Sequence, residues 1–498
     1  MLQLLDQVDT VRKEVGRKLD HGLKSELGQF MTPSTVARFM ASLFTPSSNL
    51  QTAQLLDAGA GIGSLSCAFL DRVTATTLPF HRLKVVAYEI DAKLRIHLEK
   101  TLSDYQSAID LDISIVSGDF IEAAVKLIQG GETLFTHAIM NPPYKKINSA
   151  SRHRALLREA GIETVNLYSA FVALAVELME TGGQVVTIIP RSFCNGPYYR
   201  PFRDIILSKT AIKQIHLFNA RNRAFKDDDV LQENIIISLE RGAQQGPVTI
   251  STSTDDSFSD METVIYPFDR IVFPDDPERF IHVPTSPDHS HIELSPYVAS
   301  SLSDLGLEVS TGPVVDFRLR DHLQKMPQPD AVPLLYPCHF MGQSVVWPKA
   351  ESKKPNAILL NDKTRKWLYP RGCYVVVRRF SSKEEKRRIV ASVVYAKDFS
   401  APMLGFENHL NVFHAGRQGI PENIARGLCV FLNSTAVDDQ FRRFSGHTQV
   451  NATDLRLLKY PSRDALTRLA LWAKNQHVLT QHKIDKKVES IAWQKLTT

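Results

Sequence analysis

Cysteine is scarce in this chain. Five residues, Cys67, Cys194, Cys338, Cys373 and Cys429, are scattered through 498 positions. An odd number at such spacing fits neither a disulfide framework nor a zinc site, so no metal is expected and a reducing cytoplasm is the natural setting. Long uncharged apolar runs are missing too, which excludes a hydrophobic spanning helix. The residues after Met1 lack the basic-then-apolar order of a secretory signal. No internal repeat is visible. A large charge imbalance is also absent, since the net charge is only +5.

The distribution of charge says more than its sum. Residues 251–310 hold twelve Asp or Glu against two Arg, whereas residues 341–400 hold fourteen Lys or Arg against five acids. An acidic face turned away from a polyanion and a basic face turned toward it would produce this asymmetry; so would an unevenly charged solvated surface. The length exceeds one ordinary domain. Patterning changes after residue 241, which sets the expected units at 1–241 and 242–498.

Residues 2–27 place Leu4, Leu5, Val8, Val11 and Val15 at helical spacing. A loop then leads to Thr32-Pro33, with Thr32 as the expected cap of a helix through Val36, Phe39 and Met40. Residues 54–65 read as strand, turn and helix, with Gly59, Gly61 and Gly63 letting the backbone approach a ligand. No Lys-Ser or Lys-Thr pair follows, so this is not a phosphate loop, and the glycine spacing is not that of the dinucleotide fingerprint. Asp57 stands just before the turn, where a carboxylate repels phosphate and welcomes an ammonium.

Three further strands end in chemistry. Residues 83–88 lead to Glu89-Ile90-Asp91, a carboxylate placed for ribose hydroxyls. Residues 113–116 lead to Gly118-Asp119-Phe120, an acceptor and a ring suited to an adenine. Residues 136–140 are an apolar run that reads as a buried parallel strand, and they end in Asn141-Pro142-Pro143-Tyr144. Two prolines stop the ladder and leave carbonyls free. The Asn141 amide and the Pro142 carbonyl can accept the two protons of an aromatic amine while Tyr144 stacks on its ring. Each acid alone reads equally as a loop carboxylate, and the tetrapeptide as a turn; their succession at strand ends is what argues for a site.

In this order the chain resembles the γ-type DNA adenine methylases of type II restriction-modification systems, in the TaqI and PstI/BsuBI neighbourhood. The likeness rests on the Thr-Pro loop, the glycine turn from Asp57 to Gly63 and the Asn-Pro-Pro-Tyr element, and it covers the second half only in outline. It implies a Rossmann-like α/β methyltransferase domain with a mostly parallel, seven-stranded sheet and a C-terminal α+β DNA-recognition domain. It implies S-adenosylmethionine held by Thr32, Pro33, Asp57, Gly59, Gly61, Gly63, Glu89, Ile90, Asp119 and Phe120. A flipped adenine would meet Asn141, Pro142, Pro143 and Tyr144, with Phe225 packed against it. The implied partners are double-stranded DNA, with CTGCAG as the suggested target, and a separate restriction endonuclease, the chain acting as a monomer away from membranes.

Residues 145–158 are basic, without apolar period, and read as a loop near DNA or a solvated lid. Residues 166–179 read as a helix, closed by Gly182-Gly183 before a strand at 184–190; residues 212–218 and 232–240 read as a hairpin pair. In the second half, aromatic and basic residues interleave: Tyr336, His339, Trp347, Tyr369, Tyr374 and Phe380, with a cluster at residues 383–388 suited to phosphates. Arg378, Arg379, Arg443, Gln449 and Asn451 are the candidate DNA contacts, the last three able to pair with base edges. A protein-glutamine or RNA methyltransferase, a cytosine-amino methylase and a non-catalytic DNA-binding protein remain open alternatives on the residues alone.

Overall fold

The structure, a computed structural model, describes residues 3–18, 31–46, 51–218, 233–274, 276–283, 297–342, 344–381, 385–444 and 449–493. The chain divides into two compact units, Met1–Thr285 and Ser286–Thr498. In the first, nine strands form one sheet: β1 Thr52–Ala58, β2 Arg82–Tyr88, β3 Asp110–Val116, β4 Phe135–Met140, β5 Met179–Pro190, β6 Thr210–Phe218, β7 Asn234–Arg241, β8 Val248–Ser253 and β9 Glu262–Tyr266. Their order is β3-β2-β1-β4-β5-β7-β6-β8-β9.

Strands β3, β2, β1, β4 and β5 run parallel, and β7 inserts antiparallel between β5 and β6. Every residue of β4 is buried, as a strand covered on both faces must be. Helices Phe120–Gln129 and Leu167–Leu178 pack one face, around Phe120, Phe171 and Val185. Helices Gln3–Lys18, Ser34–Ser42, Ser64–Thr74 and Ala92–Ser103 pack the other, around Met40, Phe69 and Leu98. Chain order reverses between β1 and β4, so the crevice at their carboxyl ends is where such a sheet admits a ligand.

The expected seven-stranded sheet is present inside a larger one. Residues 242–285 belong with the first unit and not, as their change of composition suggests, with the second. Val248 and Ile250 of β8 are buried beside β6, and β9 pairs with β8. The polar composition of that stretch masks the last two strands of the sheet, and the boundary falls at residue 285 rather than 241. Residues 145–158 are not all loop. Ser151 caps helix Arg152–Glu159, which buries Leu157. Gly182-Gly183 does not close a helix, because β5 has already begun at Met179.

The second unit has a four-stranded antiparallel sheet ordered Glu308–Thr311, Leu410–His414, Tyr374–Arg378, Ala391–Val394. Side chains alternate across it. Val375 and Val377 join the helical core of Glu422–Leu432 and Arg463–Lys474, while Tyr374 and Val376 face Leu335, Leu404 and Phe406. The aromatics expected on a nucleic-acid face are therefore mostly core: Tyr336, His339, Tyr369 and Tyr374 are all buried. Arg388, expected at phosphate, is fully buried under the Phe441 ring. The tail forms Arg463–Lys474 and a second helix, Gln481–Trp493. Among the described residues, no helix is long and apolar enough to cross a membrane.

Candidate active site

A cavity of about 280 Å³ opens at the carboxyl ends of β1, β2, β3 and β4. The turn after β1 forms its floor. The N–H groups of Gly59 and Ala60 both donate to the Tyr88 carbonyl at 2.9 Å, which ties the turn to β2. Gly59 and Gly61 have φ of +82° and +58°, the left-handed region that glycine alone enters without strain. A Cβ on Gly61 would meet nothing within 4 Å, whereas one on Gly63 would lie 2.9 Å from Leu98 Cδ1. Gly61 thus leaves room for a ligand, and Gly63 serves close helix packing.

Glu89, at the tip of β2, is buried. Its Oε2 accepts from Gly61 N at 2.8 Å and its Oε1 from Asp91 N at 2.8 Å. Burial raises its pKa, the two backbone donors oppose the rise, and the carboxylate is held at the cavity wall with lone pairs to spare. Asp119 lines the cavity while capping helix Phe120–Gln129 through Glu122 N at 3.1 Å. Its Oδ2 lies 3.0 Å from His153 Nε2.

Asn141 closes the fourth strand end. Its Nδ2 donates to Thr32 Oγ1 at 3.2 Å, and its Oδ1 accepts from the Tyr144 hydroxyl at 2.9 Å. Thr32 does not cap the next helix as expected. Pro33 holds the cap position, the Ser34 N–H goes to Asp9 Oδ1 at 3.2 Å, and the Thr32 hydroxyl is left for Asn141. Tyr144 is half-buried and does not line the cavity. Its hydroxyl also donates to the Ile188 carbonyl at 3.1 Å, and its ring stands edge-on to Tyr168 at 6.2 Å. Here Tyr144 orients Asn141.

Among the residues expected at the ligand, Thr32, Gly59, Gly61, Glu89, Ile90, Asp119, Phe120, Asn141 and Pro143 line the cavity, and Pro33, Asp57, Gly63, Pro142 and Tyr144 do not. Asp57 is fully buried one layer beneath. Ser66 Oγ donates to its Oδ2 at 2.6 Å, its Oδ1 has no hydrogen-bond partner among the described residues, and burial pushes its carboxyl up to about 7. Phe225 lies outside the described residues. Sequence reading missed His153 and Phe171, which also line the cavity. His153 sits in the stretch that reads as a loop, and Phe171 in a helix whose apolar residues all read as core.

The second-unit candidates divide differently. Arg378 pairs with Glu385 at 3.1 Å. Arg379 donates to the Asn408 carbonyl at 3.3 Å. Asn451 is not turned outward as a base reader; its N–H and Nδ2 both go to Asp454, at 3.0 and 3.3 Å, at the start of helix Ala452–Leu457. Gln449 bridges Phe380 through the backbone. Arg443 lies in helix Thr435–Phe444, its side chain outside the described residues.

Residues 71–225 match the Eco57I restriction-modification methylase family. The chain is 54% identical to type II methyltransferase M.BsuBI of Bacillus subtilis, over 99% of this chain and 98% of that one. It is 44% identical to type II methyltransferase M.PstI of Providencia stuartii, over 93% and 92% of the two chains. Among solved structures, the type IIL restriction-modification enzyme MmeI in complex with DNA is similar at TM-score 0.52 and 10% identity, over 93% of this chain and 73% of that one; that likeness concerns the fold alone. Identity at this level over nearly the whole length, on a sheet whose strand ends carry the Asp57 turn, Glu89, Asp119 and Asn141, places the chain in the family of type II methyltransferases of restriction-modification systems.

Proposed function

We propose that this DNA methyltransferase transfers a methyl group from S-adenosylmethionine to the exocyclic amino group of adenine in a short duplex site. The observation that carries the reading is the Asn141 carboxamide, held by Thr32 and Tyr144 at the rim of the cavity whose wall is Glu89. The residues present suit the cofactor. The open space over Gly61 admits a chain, the Glu89 carboxylate can accept ribose hydroxyls, and Asp57 lies buried beneath the turn with its Oδ1 unpartnered among the described residues. Ile90, Asp119, Phe120 and His153 line the part of the cavity suited to an adenine. When bound, S-adenosylmethionine supplies an electrophilic methyl and leaves as S-adenosylhomocysteine.

The target amine is inside the duplex, so the base must be everted, at a cost of a few kcal/mol. An aromatic amine is a weak nucleophile because its lone pair is conjugated with the ring. Asn141 Oδ1 and the Pro142 carbonyl offset this by accepting hydrogen bonds from its two N–H groups, which favours a pyramidal nitrogen without a covalent enzyme intermediate, and the surplus proton leaves to solvent after transfer. Tyr144 would shift from orienting Asn141 to covering the base, with Phe225 on the other side. Arg378, Arg379, Arg443 and Gln449 are proposed DNA contacts. The chain is proposed to act as a monomer in the cytoplasm, beside a separate endonuclease of the same specificity, with CTGCAG as the proposed site.

Expression in a methylation-free host followed by modified-base sequencing tests this. N6-methyladenine at one short motif is expected. An unmodified genome, or methylcytosine in its place, overturns the reading.

A further inference from the structure

The second unit contains a carboxylate as deeply buried as Glu89 that neither the cavity nor the fold accounts for. Glu407 is fully buried and begins the turn that joins Met403–Phe406 to Leu410–His414, the turn closing with Leu410 N on Glu407 O at 3.0 Å. Both its oxygens are used on a single residue two positions ahead. Oε2 accepts from His409 N at 2.9 Å, and Oε1 lies 2.5 Å from His409 Nδ1. A carboxylate can only accept, so Nδ1 carries a hydrogen and Nε2 is the nitrogen presented outward. The His409 side chain is 40% exposed.

The ring's surroundings are braced on three sides. Arg379 N donates to the His409 carbonyl at 2.8 Å, and Val450 N to the Arg379 carbonyl at 2.7 Å. Asn411 Nδ2 donates to the Val450 carbonyl at 2.7 Å. Phe380, 48% exposed, lies against the His409 ring with centroids 4.8 Å apart. Phe380 gains little burial where it stands, and the imidazole beside it is fixed by a buried carboxylate whose charge two N–H groups satisfy. An imidazole nitrogen without a partner among the described residues, with an aromatic ring beside it, suits direct readout of a base edge. Arg318 stands beside the exposed Phe317, and Asp316, whose carboxylate interacts with His409, is neutralised by Lys354 at 3.0 Å.

We propose that His409 contacts a base edge in the target site through Nε2, that Phe380 shields that contact from water, and that Glu407 is its positioning residue. The inference rests on the methyltransferase reading above and adds a specificity determinant to it. With the Nδ1 hydrogen directed at Glu407, Nε2 accepts from a cytosine or adenine amino group.

The test uses the full chain and a panel of duplexes in which each base pair of the methylated site is replaced in turn. His409→Ala should lose discrimination at one base pair by about 10- to 100-fold, with the other positions unchanged. Phe380→Ala and Glu407→Gln should relax the same base pair and no other. A role in folding alone would instead lower thermal stability and depress all duplexes equally. Cofactor binding, measured by equilibrium dialysis, should remain as in the parent chain for all three. Unchanged discrimination in His409→Ala, or loss spread evenly over every position, overturns the proposal. If the parent chain methylates no duplex, the methyltransferase reading fails first and this inference falls with it.

Discussion

Asp57 in the first unit and Asp454 in the second are alike in every local respect. Each is buried, each has its carboxyl pushed up to about 7 by that burial, and each has an Oδ1 without a hydrogen-bond partner among the described residues. Their surroundings part them. Asp57 lies where β1 runs out into the glycine turn, beneath the cavity and near the Glu89 charge, which raises it further. Asp454 sits in the first turn of helix Ala452–Leu457, gripped by Asn451, with the Arg388 charge opposing the rise. A perturbed carboxyl therefore does not mark a ligand site by itself. Its address does: the open end of a parallel sheet, against the closed end of a capped helix.

The sharpest way to break the comparison is to disable the sheet edge without touching either aspartate. Asn141→Ala should lower single-turnover methyl transfer by about 100- to 1,000-fold, the scale of losing one preorganised polar partner in a water-excluded site. Affinity for S-adenosylmethionine should stay near that of the parent chain, because Glu89 and the turn are intact. Transfer within a few-fold of the parent would remove Asn141 from the chemistry.

Glu89→Ala sharpens the contrast from the cofactor side. It removes a buried charged acceptor and strands the Gly61 and Asp91 donors. A hydrogen bond to a charged group is worth about 1.5–3 kcal/mol, or roughly 10- to 100-fold in affinity. Equilibrium dialysis with labelled cofactor should show a loss of that size. Gly63→Ala should leave affinity less affected and lower stability instead. Its φ of +90° disfavours a side chain, and the new Cβ would lie 2.9 Å from Leu98, at a cost of about 1–3 kcal/mol read by thermal melting.

The sheet edge is legible in the sequence because its chemistry is local there. Each strand announces itself by an apolar run and delivers its polar residues within two or three positions, so the order of residues alone puts Glu89, Asp119 and Asn141 at strand ends, and the seven core strands follow from the same pattern. Strands β8 and β9 are not legible, since the Ser and Thr of β8 and the mostly exposed β9 carry little apolar signal. His153 escapes because an eight-residue helix with a single fully buried leucine barely rises above loop composition. In the second unit the sequence misleads for a different reason. Tyrosine, histidine and arginine serve a core as readily as a nucleic-acid surface, and nothing in the order of residues separates Arg388, buried under Phe441, from Arg379 beside His409.

A difference in cofactor response, the smallest expected effect, separates the two aspartates most directly. A carboxyl raised from 3.8 to about 7 in the folded chain contributes stability that is fully present below about pH 4 and is lost as pH rises through 7. Replacing either residue by Asn removes that dependence, since the amide keeps the shape without the ionisation. Melting temperatures of Asp57→Asn and Asp454→Asn should match the parent below about pH 4 and exceed it by a margin that grows until about pH 7 and is level beyond it. Saturating S-adenosylmethionine should then distinguish them. If the cofactor's ammonium reaches the buried Asp57 Oδ1, it favours the ionised carboxylate, so the cofactor should stabilise the parent more than Asp57→Asn at pH 8, and should stabilise the parent and Asp454→Asn equally. Equal stabilisation of all three would mean that Asp57 is, like Asp454, a structural carboxyl, and that the turn above it holds the cofactor without it.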